Sequence, residues 1–336
     1  MSRKLITIST IMTLMSTSVI ADVPNVAADI APIHSLVSRV MDGVGAPKLI
    51  VQSGASPHGY RLRPSEAKAL QDADHVFWMG EELTPWLDSA IGTLASKASV
   101  TTLLDQQGVI LHDFREGALF EAHDHSAHGD DDHDDHDDHD DHDDHKDHDD
   151  HDDHDDHKDH DDHDDHGSHD PHAWLSPENA KLWLNIIASK LSVSDPENAA
   201  TYFMNAAAGQ AEIEAMIAEV SATLKPVQGG KFVVFHDAYQ YFENDFDFYA
   251  SGAISLGDSS DPSPARIEKV QKRIRDEGIQ CVLAEPQFKK GLVATVMEGS
   301  DATASVIDPL GAELETGPKL YTRLIKNMAK TLRNCL

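Results

Sequence analysis

The chain has almost no cysteine. Cys281 and Cys335 are the only two in 336 residues. No His or Cys partner sits near either at ligand spacing, so a metal-ligand pair is the weaker reading. In an oxidising compartment the pair is a disulfide candidate, closing about 54 residues and contributing perhaps ~4 kcal/mol on a chain-entropy argument. Basic residues are also scarce, with 27 Lys and Arg against 59 Asp and Glu. That excludes a phosphate-binding surface, and nucleic acid with it. Long apolar runs are missing beyond the N-terminus, and no later segment approaches the roughly 20 residues of a membrane span. No HExxH arrangement exists and no general base is evident, which makes a zinc hydrolase the least favoured reading.

What the chain does have is acid and imidazole in one place. From His123 to Asp170 it reads almost entirely Asp and His, mostly as DDH triplets. The histidines of this run are His123, His125, His128, His133, His136, His139, His142, His145, His148, His151, His154, His157, His160, His163, His166 and His169. The run holds 25 Asp and 2 Lys, a net of -23, so the rest of the chain carries only about -9 of the total -32. His145 to Asp156 recurs from His157 to Ser168 with only the last two positions changed. With no apolar residue to stack, the repeat predicts no solenoid; a disordered acidic His-rich loop over 113–170 is expected. Imidazole beside carboxylate suits Zn(II) and its first-row neighbours.

The N-terminus reads as a secretory leader. Ser2-Arg3-Lys4 is a basic start, Leu5 to Ile20 is apolar, and Val19-Ile20-Ala21 fits cleavage after Ala21. No Cys follows, so no lipid anchor is expected there. A free periplasmic monomer without stable membrane insertion is the expectation.

The ordered remainder alternates strand and helix. Strands are predicted at Val23 to Ala28, Lys48 to Gln52, His75 to Met79 and Val100 to Leu104. Helices are predicted at Pro32 to Val44, Pro64 to Gln71 and, for the most part, Glu81 to Leu94. After the acidic run come a helix from Pro177 to Leu191 and a longer one to Leu224, with Asp195 as its cap and Pro196 at its first position. A second alternating region follows. Its strands are Lys231 to Phe235, Phe248 to Ile254, Gln280 to Ala284 and Ala304 to Ile307. Its helices are Asp237 to Asn244, Pro264 to Glu277, Lys290 to Met297 and Leu320 to Leu332. The expected fold is α/β: two (β/α)4-type lobes with parallel sheets, joined by one long helix, with a metal cleft between them. The expected division is a leader over 1–21, an N-terminal lobe over 22–194, a linking helix over 195–228 and a C-terminal lobe over 229–336.

Three histidines outside the acidic run stand at useful places. His58 follows the second strand, His172 follows the acidic run, and His236 ends the strand from Lys231. Asp308 ends the strand from Ala304. Three imidazoles with an open or carboxylate fourth position make a Zn(II) site. His34, His75 and His112 read as structural, although His34 also follows a strand end and is the first alternative among them for a ligand. The aromatics from Phe235 to Tyr249 read as core.

At these residues a resemblance is specific. The motifs Ser56-Pro57-His58-Gly59-Tyr60-Arg61-Leu62-Arg63-Pro64-Ser65, Asp170-Pro171-His172-Ala173-Trp174-Leu175-Ser176-Pro177, Phe235-His236-Asp237-Ala238-Tyr239-Gln240-Tyr241-Phe242, Ala284-Glu285-Pro286-Gln287-Phe288 and Asp308-Pro309-Leu310-Gly311 resemble those of the ZnuA family. These are periplasmic zinc-binding components of high-affinity zinc ABC importers, within the metal-specific cluster of substrate-binding proteins. The resemblance spans essentially the whole chain after the leader, with the motifs in order. It implies two lobes on one rigid helix, and zinc held by His58, His172 and His236. Some members place Glu before the first histidine. Pro57 stands there in this chain, which leaves Asp308 as the better candidate for the fourth position, with water the alternative. The manganese-binding branch carries a carboxylate where His236 sits. The Cys281–Cys335 pair matches a disulfide of zinc-binding relatives.

The implied activity is capture of Zn(II) and delivery to an inner-membrane ABC permease, without catalysis. The acidic run is expected to be an accessory, weaker zinc collector. The alternatives are a zinc buffer or chaperone without a permease, and a Mn- or Fe-specific binding protein.

Overall fold

The computed structural model describes residues 23–115, 120, 169–255, 262–287 and 290–336. The expected leader, and the acidic run from His123 through His166, lie outside the described residues. The N-terminal half runs β1 (Val26–Ala28), α1 (Ala31–Val40), β2 (Lys48–Leu49), α2 (Pro64–Gln71), β3 (His75–Trp78), α3 (Pro85–Leu94) and β4 (Ser99–Thr102). Two helices follow, α4 (Pro177–Ser194) and α5 (Ala199–Leu224). The C-terminal half runs β5 (Phe232–His236), α6 (Gln240–Phe246), β6 (Ala253–Ser255), α7 (Pro264–Glu277), β7 (Cys281–Ala284), α8 (Lys290–Met297), β8 (Thr303–Val306) and α9 (Leu320–Cys335).

Each half forms a four-stranded sheet, ordered β2-β1-β3-β4 and β6-β5-β7-β8. Every strand pair is parallel. The central strands β1, β3 and β5 are buried throughout. They are short apolar runs, as strands covered by helices on both faces must be. In each sheet the order reverses between the first and third strands. That reversal opens a crevice beyond the carboxyl ends of β1 and β3, and of β5 and β7.

Proline sets where many of the helices begin. Pro64, Pro85, Pro177 and Pro264 each open one, where a missing N–H costs nothing. Elsewhere the boundaries depart from the periodicity. The helix expected from Glu81 starts at Pro85, after a turn. Asp195 makes no cap hydrogen bond to the backbone. It is fully buried, and its Oδ2 accepts from Tyr202 Oη and Asn198 Nδ2, both at 2.7 Å. Pro196–Asn198 is a 3₁₀ turn, so α5 proper is 26 residues, about 39 Å long. The helix expected from Asp237 starts only at Gln240, with three residues between it and the end of β5. α6 ends at Asp247 in a left-handed conformation, φ 50°, and the next strand begins only at Ala253.

The lobes share their largest core cluster, and each has a smaller cluster of its own. The shared cluster runs from Val26 through Trp174, Trp183 and Tyr202 to Leu332. α5 packs on α4, α9 and α1. Gly209 lets it come close: a Cβ there would sit 2.9 Å from Leu184 Cδ1 and 3.1 Å from Arg39 Cγ. The Ser35 hydroxyl, on α1, donates to Gly317 O at 2.7 Å and accepts from Tyr321 N at 3.0 Å. Cys281 and Cys335 form a disulfide with Cα atoms 5.5 Å apart.

Candidate metal centre

His58, His172 and His236 come together between the lobes. One ligand atom from each lies within 4.8 Å of the other two, and this is the single such group of His, Cys, Asp or Glu found among the described residues. The ring centroids of His58 lie 5.6 Å from His172 and 6.0 Å from His236, and those two are 4.8 Å apart. A tetrahedral zinc with bonds of about 2.0–2.1 Å needs nitrogens roughly 3.4 Å apart. Closing the triad on an ion therefore takes side-chain adjustments of about 1 Å.

Each histidine is placed by a different device. His58 sits on the loop between β2 and α2. The indole N–H of Trp86, on α3, donates to Pro57 O at 2.7 Å. At the far end of the loop, Glu66 is buried and accepts from Tyr60 Oη and Arg63 N, both at 2.7 Å. His172 precedes a 3₁₀ turn, Ala173–Leu175. Asp170 Oδ1 accepts both its backbone N–H at 3.0 Å and its ring Nδ1–H at 2.6 Å. His236 is the last residue of β5, so the sheet itself aims it. Its Nδ1 donates to Glu285 Oε1 at 3.3 Å, and Glu285 Oε2 accepts from Gln287 Nε2 at 2.7 Å.

With Nδ1 of His172 and of His236 donating to carboxylates, each ring keeps its lone pair on Nε2. That is the tautomer a metal needs, and the carboxylate behind it raises ligand basicity. Burial pushes the Asp170 carboxyl up to about 6, with its hydrogen bond from His172 opposing the rise. At neutral pH it still accepts. The space between the rings is a cavity of about 10 Å³, bounded by Pro57, Trp174, Gln287 and Leu310 besides the histidines and Glu285. That is room for an ion or one water, and too little for an organic substrate. Trp174 Nε1 donates to Pro309 O at 2.9 Å across the lobes and closes one wall.

Asp308 is placed differently from the other expected ligands. Its Oδ1 accepts from Leu310 N at 3.0 Å and Gly311 N at 2.8 Å, and its Oδ2 from Ala312 N at 2.6 Å. The structure does not bring it into the histidine group. Of the acidic run only His169 and Asp170 are described, and His169 Nδ1 lies 3.0 Å from Asp113 Oδ1. The histidines read as structural have partners: His34 on Pro47 O, His75 on Ser194 Oγ and His112 beside Asn244. Sequence reasoning assigned no role to Asp170, Glu285, Gln287 or Trp86. Glu285 and Gln287 lie inside a quoted motif, but nothing in spacing tells which carboxylate reaches a ring.

Two parallel-sheet lobes with an ion-sized cleft of imidazoles define the class: a metal-binding substrate-binding protein. The family model described as zinc-uptake complex component A, periplasmic, matches residues 26–335. The chain belongs to this family, ZnuA. It is 50% identical over 311 residues to the high-affinity zinc uptake system protein ZnuA of Brucella abortus, covering 93% of this chain and 91% of that protein. The namesake from Paracoccus denitrificans is 45% identical, covering 94% and 93%. A solved ZnuA crystal structure superposes with a TM-score of 0.69 at 20% identity, covering 94% of this chain and 99% of that one. A Mn-bound periplasmic metal-binding protein from Candidatus Liberibacter asiaticus has the same fold, with a TM-score of 0.67 at 17% identity, covering 92% and 98%.

Proposed function

We propose that this chain captures Zn(II) on His58, His172 and His236 and delivers it to an ABC permease for import. The observation that carries the reading is the triad itself: three imidazoles around an ion-sized cavity, two of them backed by buried carboxylates. Nitrogen donors in this number suit Zn(II); Ca(II) and Mg(II) take oxygen sets, and a carboxylate in place of one histidine would move the balance toward Mn(II) or Fe(II). The fourth position falls to Asp308 or to water; the Asp308 carboxylate also accepts three backbone N–H groups, so reaching the ion would take a movement of that loop. The ligands bind metal deprotonated, so affinity falls as pH drops through the histidine range.

The permease partner is carried over from the relatives, which are named as zinc uptake proteins. Export to the periplasm after cleavage behind Ala21, and a monomeric state, belong to the same reading. No helix among the described residues is long and apolar enough to cross a membrane. The Asp/His run gathers zinc by charge and mass action through several weaker sites.

The test is competition titration of Zn(II) against a strong chelator, on mature chain with residues 123–169 deleted. One tight site per chain is expected to survive. His58→Ala is expected to weaken it by more than the ~100-fold that loss of an outer carboxylate costs. Disappearance of the tight site on deletion would make the Asp/His run the principal binding element and end the cleft reading.

A further inference from the structure

Behind the triad lies an ion cluster that the zinc reading does not use. Arg115 belongs to the chain leaving the N-terminal lobe. Its guanidinium is largely buried and forks onto two carboxylates of the other lobe. Arg115 Nε lies 3.0 and 3.2 Å from the two oxygens of Asp237, and Nη2 also donates to Asp237 Oδ1. Nη1 donates to Glu243 Oε2 at 2.6 Å, and Nη2 to Glu243 Oε1 at 3.3 Å. Both carboxylates are buried, Asp237 at 8% and Glu243 at 1% exposure. The guanidinium carbon stands 3.7 Å from the centre of the Phe120 ring.

The surroundings make this a junction rather than an isolated pair. Asp113 pairs with His169 as an antiparallel bridge, and Asp170 N donates to His112 O at 2.8 Å. The Tyr241 hydroxyl, on α6, accepts from His112 N at 3.1 Å and donates to Asp170 O at 2.6 Å. Two segments from the N-terminal half thus lie together on α6. One of them leads directly into His172. On the other side, Asp237 directly follows His236.

We propose that Arg115 is a positioning residue for the metal centre: its fork on Asp237 and Glu243 holds the strand end bearing His236 in register with the segment bearing His172. The inference rests on the three-imidazole reading. Buried ion pairs contribute little net stability, but their removal leaves charge uncompensated, and they are well suited to fixing one geometry. Arginine suits the role because its planar fork meets two carboxylates at once, which a lysine cannot do.

The test uses the full chain at one equivalent of metal. The double variant Arg115→Met/Glu243→Gln removes the fork without changing net charge. Zinc affinity, by chelator competition, is expected to fall by about 10–100-fold, the range for loss of an outer-sphere contact. The visible band of the Co(II)-loaded chain is expected to change shape, because a displaced His236 alters the ligand geometry. A role in folding alone would leave that band as it is. Arg115→Lys, which keeps the cation, is expected to give a smaller shift in the same direction, and it decides the matter if the double variant does not fold. Wild-type zinc affinity and a wild-type Co(II) band in the folded variant would overturn the inference. His236→Ala is run beside them. If it abolishes tight binding while the Arg115 variants do not weaken it, only this inference falls. If it leaves zinc affinity unchanged, the triad reading falls and takes the inference with it.

Discussion

The two lobes have the same sheet and use it differently. Val26 pairs with His75 as Phe232 pairs with Cys281. By that register Ile30 falls where His236 falls, and Met79 where Glu285 falls. At this point in each lobe a buried carboxylate ties the ends of the first and third strands. In the N-terminal lobe it is Asp29, whose Oδ1 accepts from Ile30 N and Oδ2 from Met79 N, both at 2.7 Å. In the C-terminal lobe it is Glu285, and what it holds is the imidazole of His236. One tie is closed within the backbone; the other ends on a side chain facing the cleft. The N-terminal lobe therefore brings two histidines of the triad on loops, and the C-terminal lobe brings one from the sheet. A shared topology places a crevice, and the identity of one residue at the strand end decides whether chemistry is put there.

If this contrast is right, Asp29 governs stability and leaves affinity alone. Burial pushes its carboxyl up to about 7, against the hydrogen bonds from Met79 and Ile30. A carboxyl that holds its proton more tightly folded than unfolded contributes stability that is complete below about pH 4 and lost as pH rises through 7. A rise of about three pH units corresponds to roughly 4 kcal/mol. Denaturant unfolding of metal-free chain at pH 4, 5.5 and 7 is expected to show that decline, and Asp29→Asn to remove most of it. Zinc affinity runs the other way with pH. An Asp29→Asn chain with the wild-type pH slope would mean that this tie does not titrate.

The disulfide sharpens the contrast a second way, since it belongs to the C-terminal lobe alone. It joins the first residue of β7 to the last of α9, across 54 residues. Cys335→Ser is expected to lower unfolding stability by up to ~4 kcal/mol. The cleft affinity should stay as it was, because Cys281 sits at the opposite end of β7 from Glu285. A parallel loss of zinc affinity would show that the strand transmits strain to the site.

The smallest effect concerns Glu285. Glu285→Gln keeps the shape and can still accept from His236, but it removes the charge behind the ring. Chelator competition is expected to read a loss of about 10–100-fold, with metal-free stability nearly unchanged. If Glu285→Gln flattens the pH dependence of metal-free stability as Asp29→Asn does while affinity holds, the two ties are alike and the comparison fails.

Much of this was legible in one dimension. Alternation of short apolar runs with helices opened by proline predicts two parallel sheets, and the three histidines stand at strand and turn ends where ligands belong. The departures from periodicity are local in kind. Asp195 reads as a cap from its place before Pro196, yet its carboxylate is taken by Tyr202 seven residues on. The helix expected from Asp237 starts three residues later, at Gln240, and the Asp237 carboxylate goes to Arg115 instead.

The sequence by itself determined the class of fold, the cysteine pair and the acidic run, because each is written in composition or in spacing of a few residues; the three histidines stand at element ends, but it was their motifs' likeness to one family that singled them out. Only the tertiary structure decided which carboxylates stand behind the imidazoles. Glu285 meets His236 from 49 residues away and Arg115 meets Asp237 from 122, while Asp308 turns onto the three amides that follow it. Periodicity reports which face of an element is buried; it carries no information on which buried groups meet across a lobe boundary. That pairing is set by packing and by the cost of leaving a buried polar group without a partner.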